Sequence, residues 1–540
     1  MNFPILLGDG PRYTTFFSDF DTTLWSAILR ISEAIVAAAP FLVAGAFTAG
    51  LLRGMIGPQR LRKMLGVGHW TGPLRAWGLG VLLPICSLGA LPVARELRRS
   101  KIPGGTILSF VLVAPVLNPV SVIYGLSHIE LSTLAYFAVG TFAVSIGIGM
   151  LWNSLISRQR ISSKISLDEN HDETLPRNGV ARLAVAGDTA ARSLVGPAFI
   201  DYGLALLAVG LLGAFLPHGV LQTGLTRQNP FAPIIMGAVA IPCYVTPTDV
   251  MMHFGHIVQD GYSLGAAFAL IVLGAGANVG VANWLRRDYG GRAVALFVVL
   301  LIGSTLVIGL TADRAIPAAQ ATVADHTHAF DPFTRLHQVP SNEAKIAWVA
   351  SQIKREIRSD EKYGLGLLAL IMLAGAGLAL LGDRIQTTRL LTHQTVQEET
   401  PSNSKWNPEL SSTQLTCVAA IGALFFAAIG LYMYYPAPDD LFKDISKLRV
   451  ELYDAVRTGD VEETRRRAAQ WKMRTEKLPT SAWIRTGAVT DSQRESVDEM
   501  LYGLTTLEKT MAKGEKQQAK TLFSYIEKLH LHCRDEFQVK

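Results

Sequence analysis

The chain has 540 residues, 49% of them apolar and only 17% charged, with a net charge of +6. This is too apolar for a soluble domain of its size and points to a polytopic membrane protein. Lys and Arg flank apolar runs instead of gathering on one polar face, so the charge is read as a topology signal and not as a nucleic-acid surface. Cys86, Cys243, Cys417 and Cys533 are too few and too scattered for a disulfide framework.

No removable signal peptide is expected, because Met1-Asn-Phe-Pro4 is not followed by a basic stretch with a small-residue cleavage site. Leu24 to Leu52 opens the membrane part, with Arg30 and Glu33 in an interfacial first turn and an uncharged run from Ala34. Arg53, Arg60, Arg62, Lys63 and Arg75 follow. Trp77 to Ala94 is uncharged, is broken by Pro84 and Pro92, and at about 18 residues is at the short limit for a crossing. A second basic cluster, Arg95, Arg98, Arg99 and Lys101, closes it. With basic residues marking the cytoplasm, both ends lie on one side and the segment reads as re-entrant. Gly104 to Gly125 and Leu131 to Ile156 read as ordinary spans. Residues 158–192 read as a charge-mixed cytoplasmic linker.

A second copy begins near Val195, with its broken segment at Phe231 to Thr248 and spans at Tyr262 to Leu285 and Ala293 to Leu310. A shift of about 160 positions brings Gly50-Leu51-Leu52 onto Gly210-Leu211-Leu212, Gly105 onto Gly265 and Asn118 onto Asn278. Arg227 is the only Arg or Lys in Gly213 to Gly261, against nine in Arg53 to Lys101, so the second copy is expected to be inverted. A parallel arrangement with fully crossing broken segments is the competing topology. Polar residues 313–362 would lie outside, followed by spans at Gly364 to Gly382 and Thr413 to Tyr435. The tail repeats Leu441, Ile445, Leu448, Leu452 and Val456, then Met500, Leu504 and Leu507, then Leu522, Ile526 and Leu529 at helical spacing, with breaks at Gly459, Pro479 and Gly514.

The expected fold is therefore all-α and polytopic, with two inverted repeats, each of three spans plus a broken or re-entrant segment, two added spans and a soluble helical tail. The domain boundaries are 24–157 and 193–312 for the repeats, 158–192 for the linker, 313–362 for the external loop, 363–435 for the added spans and 440–540 for the tail.

The stretch Pro84 to Pro119 puts Pro84, Pro92, Pro115 and Pro119 beside a thiol and a carboxamide at membrane depth, where freed backbone is tolerated only if buried in protein or lining a cavity. Cys86, Ser87, Pro115, Asn118 and Pro119, with Cys243, Thr246 and Asn278 from the second copy, are the candidate substrate-binding residues. Buried carboxamides need partners or water, and the plainer reading of Asn118 and Asn278 is that they pin helices together. A thiolate is a soft ligand for arsenic(III), copper(I) or zinc, although an isolated buried cysteine is commonly packing filler. Asp249, His253 and His256 are candidates for proton coupling, or else headgroup-zone residues without a role, and Asp201 has the same two readings. In the external loop His326, His328 and Asp331, with His337 further on, could hold zinc or copper, as could His530, His532 and Cys533 in the tail. There is no Gly-x-x-x-x-Gly-Lys-Ser/Thr and no His-Glu-x-x-His, so neither nucleotide-driven pumping nor metalloprotease chemistry is indicated.

Pro84-Ile-Cys-Ser-Leu-Gly-Ala-Leu-Pro92, Lys101-Ile-Pro-Gly-Gly105 and Ala114-Pro-Val-Leu-Asn-Pro119, with Ile241-Pro-Cys-Tyr-Val245 and Asn278, resemble the predicted-permease family that includes the organoarsenical efflux permease. The resemblance covers residues 24 to 312. It implies an efflux permease for trivalent organoarsenicals or soft metals, with Cys86, Ser87, Asn118, Cys243 and Asn278 as the matching site positions. The chain departs from the family's pattern at Leu88, where many relatives are expected to have a second cysteine, and at Thr246-Pro-Thr-Asp249, where a second Cys-Ser could stand.

The resulting expectation is a secondary-active permease of the inner membrane, not an enzyme, with its tail outside. Lipid, a small solute or soft-metal substrate and a second copy of the chain are its candidate partners. The competing classes are a membrane-anchored metal-binding or sensing scaffold, and a thiol redox enzyme that would need Cys86 and Cys243 within disulfide reach.

Overall fold

In a computed structural model the chain is described over residues 20–66, 70–129, 131–157, 179–217, 219–244, 246–316, 330, 333–335, 345–381, 428, 432 and 434–537. These are helices and their connections, with one isolated bridge between Thr226 and Tyr262. The chain packs as two units. One is residues 1–357 with 363–418, and the other is 358–362 with 419–540.

The first unit opens with α1 (Phe20–Leu51), α2 (Pro58–Met64), α3 (Gly72–Leu82), α4 (Ala90–Arg99), α5 (Gly104–Val113), α6 (Pro119–His128) and α7 (Leu131–Trp152). After α8 (Gly179–Ser193) come α9 (Pro197–Phe215), α10 (Val220–Gly224), α11 (Ala232–Ala240), α12 (Pro247–Gln259), α13 (Leu264–Gly276), α14 (Val279–Tyr289) and α15 (Gly291–Ala315). Then follow α16 (Lys345–Glu356) and α17 (Ser359–Leu381). Five stretches are long and apolar enough to cross a membrane: Thr22–Ile56, Leu131–Ile156, Pro197–Phe215, Gly291–Ala315 and Asp360–Leu380. The pair α13 and α14, bent by 44°, makes a sixth if taken as one span.

Two segments that read as ordinary spans are interrupted. Gly104 to Gly125 is α5 and α6 around residues 114–118, because Pro115 and Pro119 lack the N–H groups that a continuous helix requires. Tyr262 to Leu285 divides at Ala277 and Asn278. The expected span at 413–435 lies almost wholly outside the described residues.

Contacts fix the helix directions. The Trp152 and Tyr289 rings are 5.3 Å apart, whereas Tyr136 donates to the Ile308 carbonyl at 3.1 Å, so α7 and α15 run antiparallel. One end of the unit gathers Arg53 with Glu96 at 3.3 Å, Arg98 over the Tyr289 ring at 4.6 Å, and Arg287 with Asp201 at 2.9 Å. This is the basic end. At the far end Arg227 donates to the Asp313 carbonyl at 2.9 Å, and Ser263 bonds the Asp313 carboxylate.

Glycines let backbones touch. A Cβ on Gly149 would lie 2.7 Å from the Gly105 carbonyl oxygen, joining α5 to α7, and one on Gly309 would lie 3.1 Å from that of Gly265, joining α13 to α15. Helices α3 and α5 run side by side, with Gly72 against Thr106 and Gly80 against Val113, while α4 returns along α1 from Gly89 against Phe41 to Glu96 against Arg53. Both arms of this hairpin therefore have their outer ends at the basic end. The hairpin of α11 and α12 has its outer ends at the opposite one, where the Ser263 N–H donates to the Leu225 carbonyl at 3.0 Å.

The second unit contains α18 (Pro438–Thr458), α19 (Val461–Thr486), α20 (Asp491–Ala512) and α21 (Lys516–Phe537). Each packs on its chain neighbour and α18 on α21, which closes a four-helix bundle. Its core holds Leu441, Ile445, Leu448, Leu452, Val456, Met500, Leu504, Leu507, Ile526 and Leu529, with Leu522 at the margin. Gly459 and Gly514 end helices at positive φ, as their composition suggests. Pro479 does not: it lies inside α19, whose stop is Gly487 at φ 74°. A Thr490/Gln493 capping box starts α20.

Candidate functional site

Four helix interruptions, at 83–89, 114–118, 241–246 and 277–278, carry the candidate residues. In the first, Ile85, Cys86, Ser87 and Leu88 are fully buried, and Cys86 Sγ accepts from the Gly89 N–H at 3.1 Å. In the third, Cys243 Sγ donates to the Val239 carbonyl at 3.1 Å, and Thr246 is fully buried with its carbonyl accepting from the Val250 N–H at 3.0 Å. Both thiols are buried and neither forms a disulfide.

The second and fourth interruptions are built alike. Asn118 Oδ1 accepts from the Ser121 N–H at 3.0 Å, and its Nδ2 donates to the Ala114 carbonyl at 2.9 Å. Asn278 Oδ1 accepts from the Val281 N–H at 3.0 Å, and its Nδ2 donates to the Gly274 and Ala275 carbonyls at 3.1 and 3.2 Å. Each carboxamide thus caps the following helix and bonds the end of the preceding one, satisfying groups that would otherwise be orphaned where the helix breaks. Pro115 and Pro119 force the first of these breaks, and Pro119 sits at the first helical position, where its missing N–H costs nothing.

The interruptions meet across the fold. Ser121 Oγ donates to the Pro247 carbonyl at 2.9 Å, tying the second to the third. A Cβ on Gly280 would lie 3.3 Å from Leu88 Cδ2, so the fourth adjoins the first. Helices α4, α6, α12 and α14 start here, while α3, α5, α11 and α13 end here. Positive and negative helix ends are equal in number, so the layer offers donors and acceptors without a one-signed field.

Asp249 belongs to the first turn of α12. His253 and His256 follow on the same helix, roughly 9 and 14 Å along its axis from Pro247 at 1.5 Å per residue, and so toward the far end from the interruptions. Both are half-buried, and the His253 ring is 5.3 Å from Phe333. His326, His328 and Asp331 lie outside the described residues. Among the described residues no three His, Cys, Asp or Glu side chains are grouped to hold a metal. In the tail, His530 and Cys533 turn into the bundle core while His532 is exposed, so that trio does not converge. Burial pushes the Cys533 thiol up to about 11 and the His530 imidazole down to about 4.

A cluster around Asp201 has no counterpart in the expected site. Asp201 is fully buried and receives Arg95 from α4, Arg287 Nη2 at 2.9 Å and Asn283 Nδ2 at 2.6 Å from α14. An acid inside an apolar run marked Asp201, but partners 82 to 106 positions away are invisible to local pattern.

Apolar crossing helices with interrupted segments packed between them define a multi-pass membrane permease. The chain belongs to the predicted permease family (ArsP_1), whose model matches residues 24–313. It is 22% identical over 302 residues to the UPF0718 protein YcgR of Bacillus subtilis, covering 53% of this chain and all of that one. It is 23% identical over 158 residues to a Streptococcus mutans protein named as a two-component membrane permease complex subunit, covering 29% of this chain and about half (52%) of that one. No solved structure matches the chain.

Proposed function

We propose that residues 24–313 are a secondary-active permease of the plasma membrane, built from an inverted duplication of α1–α7 and α9–α15. It exports a metal, metalloid, organoarsenical or related small solute through the layer where the four interruptions meet. The observation that carries this reading is the same construction found twice at one offset. The Gly105–Gly149 and Gly265–Gly309 contacts, and the Asn118 and Asn278 caps, lie 160 positions apart on helices that run in opposite directions. Interrupted helices in corresponding places of two halves mark transporter sites. Cys86, Ser87, Cys243 and Thr246 are the side chains in the layer suited to a soft or weakly polar solute, while Asn118 and Asn278 shape its walls.

The basic end is the cytoplasmic side on charge bias, which places the loop at 313–362 and the C-terminal bundle outside. Likeness to a chain named as a complex subunit also supports a search for a partner by co-purification. The functional test is growth of a metal-sensitised host across arsenicals, copper, zinc and other soft ions, with Cys86→Ser and Cys243→Ser at matched expression. Resistance to one compound that is lost in a cysteine variant is the expected result. Failure to change tolerance or uptake of any of them refutes this substrate class.

A further inference from the structure

We infer that the Asp201 cluster is the latch that closes the permease at its basic end, with Asp201 and Arg95 as the residues that must part when that side opens. The inference rests on the permease reading above. Asp201 is a carboxylate with no solvent exposure, and its partners come from opposite halves: Arg95 stands on α4 of the first, while Asn283 and Arg287 stand on α14 of the second, as Asp201 itself does on α9. The Arg95 guanidinium also stands 5.9 Å from the centre of the Tyr202 ring, and Arg98 lies over Tyr289 at 4.6 Å, so α4 is held to the second half along a full turn. By contrast, the half-buried pair of Arg53 and Glu96 lies within the first half.

A charge cluster that joins two bodies has a discrete broken state, because a carboxylate taken out of water is tolerated only while its donors remain. Moving α4 away from α9 removes Arg95 from Asp201 and carries the interruption at Cys86 with it, since α4 begins four residues after Cys86. The Asp201 carbonyl also abuts Gly280 at the start of α14, where a Cβ would meet it at 2.7 Å. The cluster is therefore joined through backbone to the layer that the solute would cross.

Cys86, fully buried in this closed form, is the native reporter. The full-length protein in proteoliposomes is treated with N-ethylmaleimide, and modification of Cys86 and Cys533 is followed by peptide mass spectrometry. Asp201→Asn and Arg95→Gln should each raise the Cys86 rate at least about tenfold. Glu96→Gln should leave it unchanged, and Cys533 in the separate bundle should be unaffected throughout. Rates within twofold of the parent for both latch variants overturn the inference, as does equal acceleration by Glu96→Gln. Should Asp201→Asn fail to accumulate, Arg95→Gln decides alone, because it leaves Asn283 and Arg287 on the carboxylate. No transported solute is needed, so a chain that moves nothing tested still yields a result, and a failed latch leaves the permease reading standing.

Discussion

Replacing Gly105 by alanine should force α5 and α7 apart. The added Cβ would sit well inside contact distance of the Gly149 carbonyl oxygen and 2.7 Å from Cγ and Oδ1 of Asn153, whereas real Cβ atoms essentially never come within 3.0 Å of a heavy atom. The Asn153 side chain can turn aside, but relief at Gly149 must come from backbone, because the atom met there is a main-chain oxygen. Overpacking of this kind costs about 1–3 kcal/mol, against a helix-propensity gain of about 1 kcal/mol for removing a glycine. Gly147, on the same helix as Gly149, has nothing within 4 Å of its would-be Cβ, and Gly303 on α15 is equally open. Gly147→Ala should therefore be neutral or mildly stabilising, and the two alanine variants should differ by about 2 kcal/mol. Thermal unfolding of the detergent-solubilised full chain, followed by fluorescence-detected size exclusion, reads this as a gap of several degrees. Gly265→Ala against Gly303→Ala repeats the experiment in the other half. Equal Tm for Gly105→Ala and Gly147→Ala would refute the close-contact argument.

Two further outcomes follow from the capped interruptions and the bundle. Asn118→Ala and Asn278→Ala should each cost about 1–3 kcal/mol, by losing a cap and stranding buried backbone groups. Serine at either position should recover part of the Tm, and an equal loss with serine would count against capping. His530 is buried between Phe442 and Trp471, with Arg449 and Arg534 adding repulsion to its charged form, so its pKa is about 4 in the fold against an ordinary 6.5. Below about pH 6.5 the unfolded chain binds a proton that the folded bundle refuses until about pH 4, so stability falls as pH drops through that window, by at most about 3 kcal/mol. Excised residues 436–540 should show this acid loss by circular dichroism, and His530→Phe should reduce it. Parallel pH curves for the two proteins would reject the assignment.

The sequence showed most where one residue type did one job. The apolar runs at 131–156 and 293–310, the tail's leucine spacing and the stops at Gly459 and Gly514 all rest on local chemistry, and the helices stand there. The interruption of 104–125 was also legible, since Asn118-Pro119 is a helix start written inside an apolar run, but hydropathy masks it. Pro479 misled in the opposite direction, because packing of Leu478 and Ala482 in the bundle core carries α19 through it. For Asn118 and Asn278 composition could say that partners are obligatory, and geometry alone could say that the partners are the neighbouring helix ends. The Asp201 cluster lay beyond any local signal, because its meaning depends on which helices touch.

The family match stops at residue 313, but the packing does not. Helix α17 approaches α1 at its proline, where a Cβ on Gly364 would lie 2.7 Å from the Pro40 nitrogen. Further along, Gly375 lies against Ala191 and Val195, and Arg192 Nη2 donates to the Leu378 carbonyl at 3.3 Å. The segment beyond the shared region is thus packed against a helix proline that lies inside it. Heredity and architecture draw their borders in different places here. In this chain the addition has become part of the wall beside its first helix.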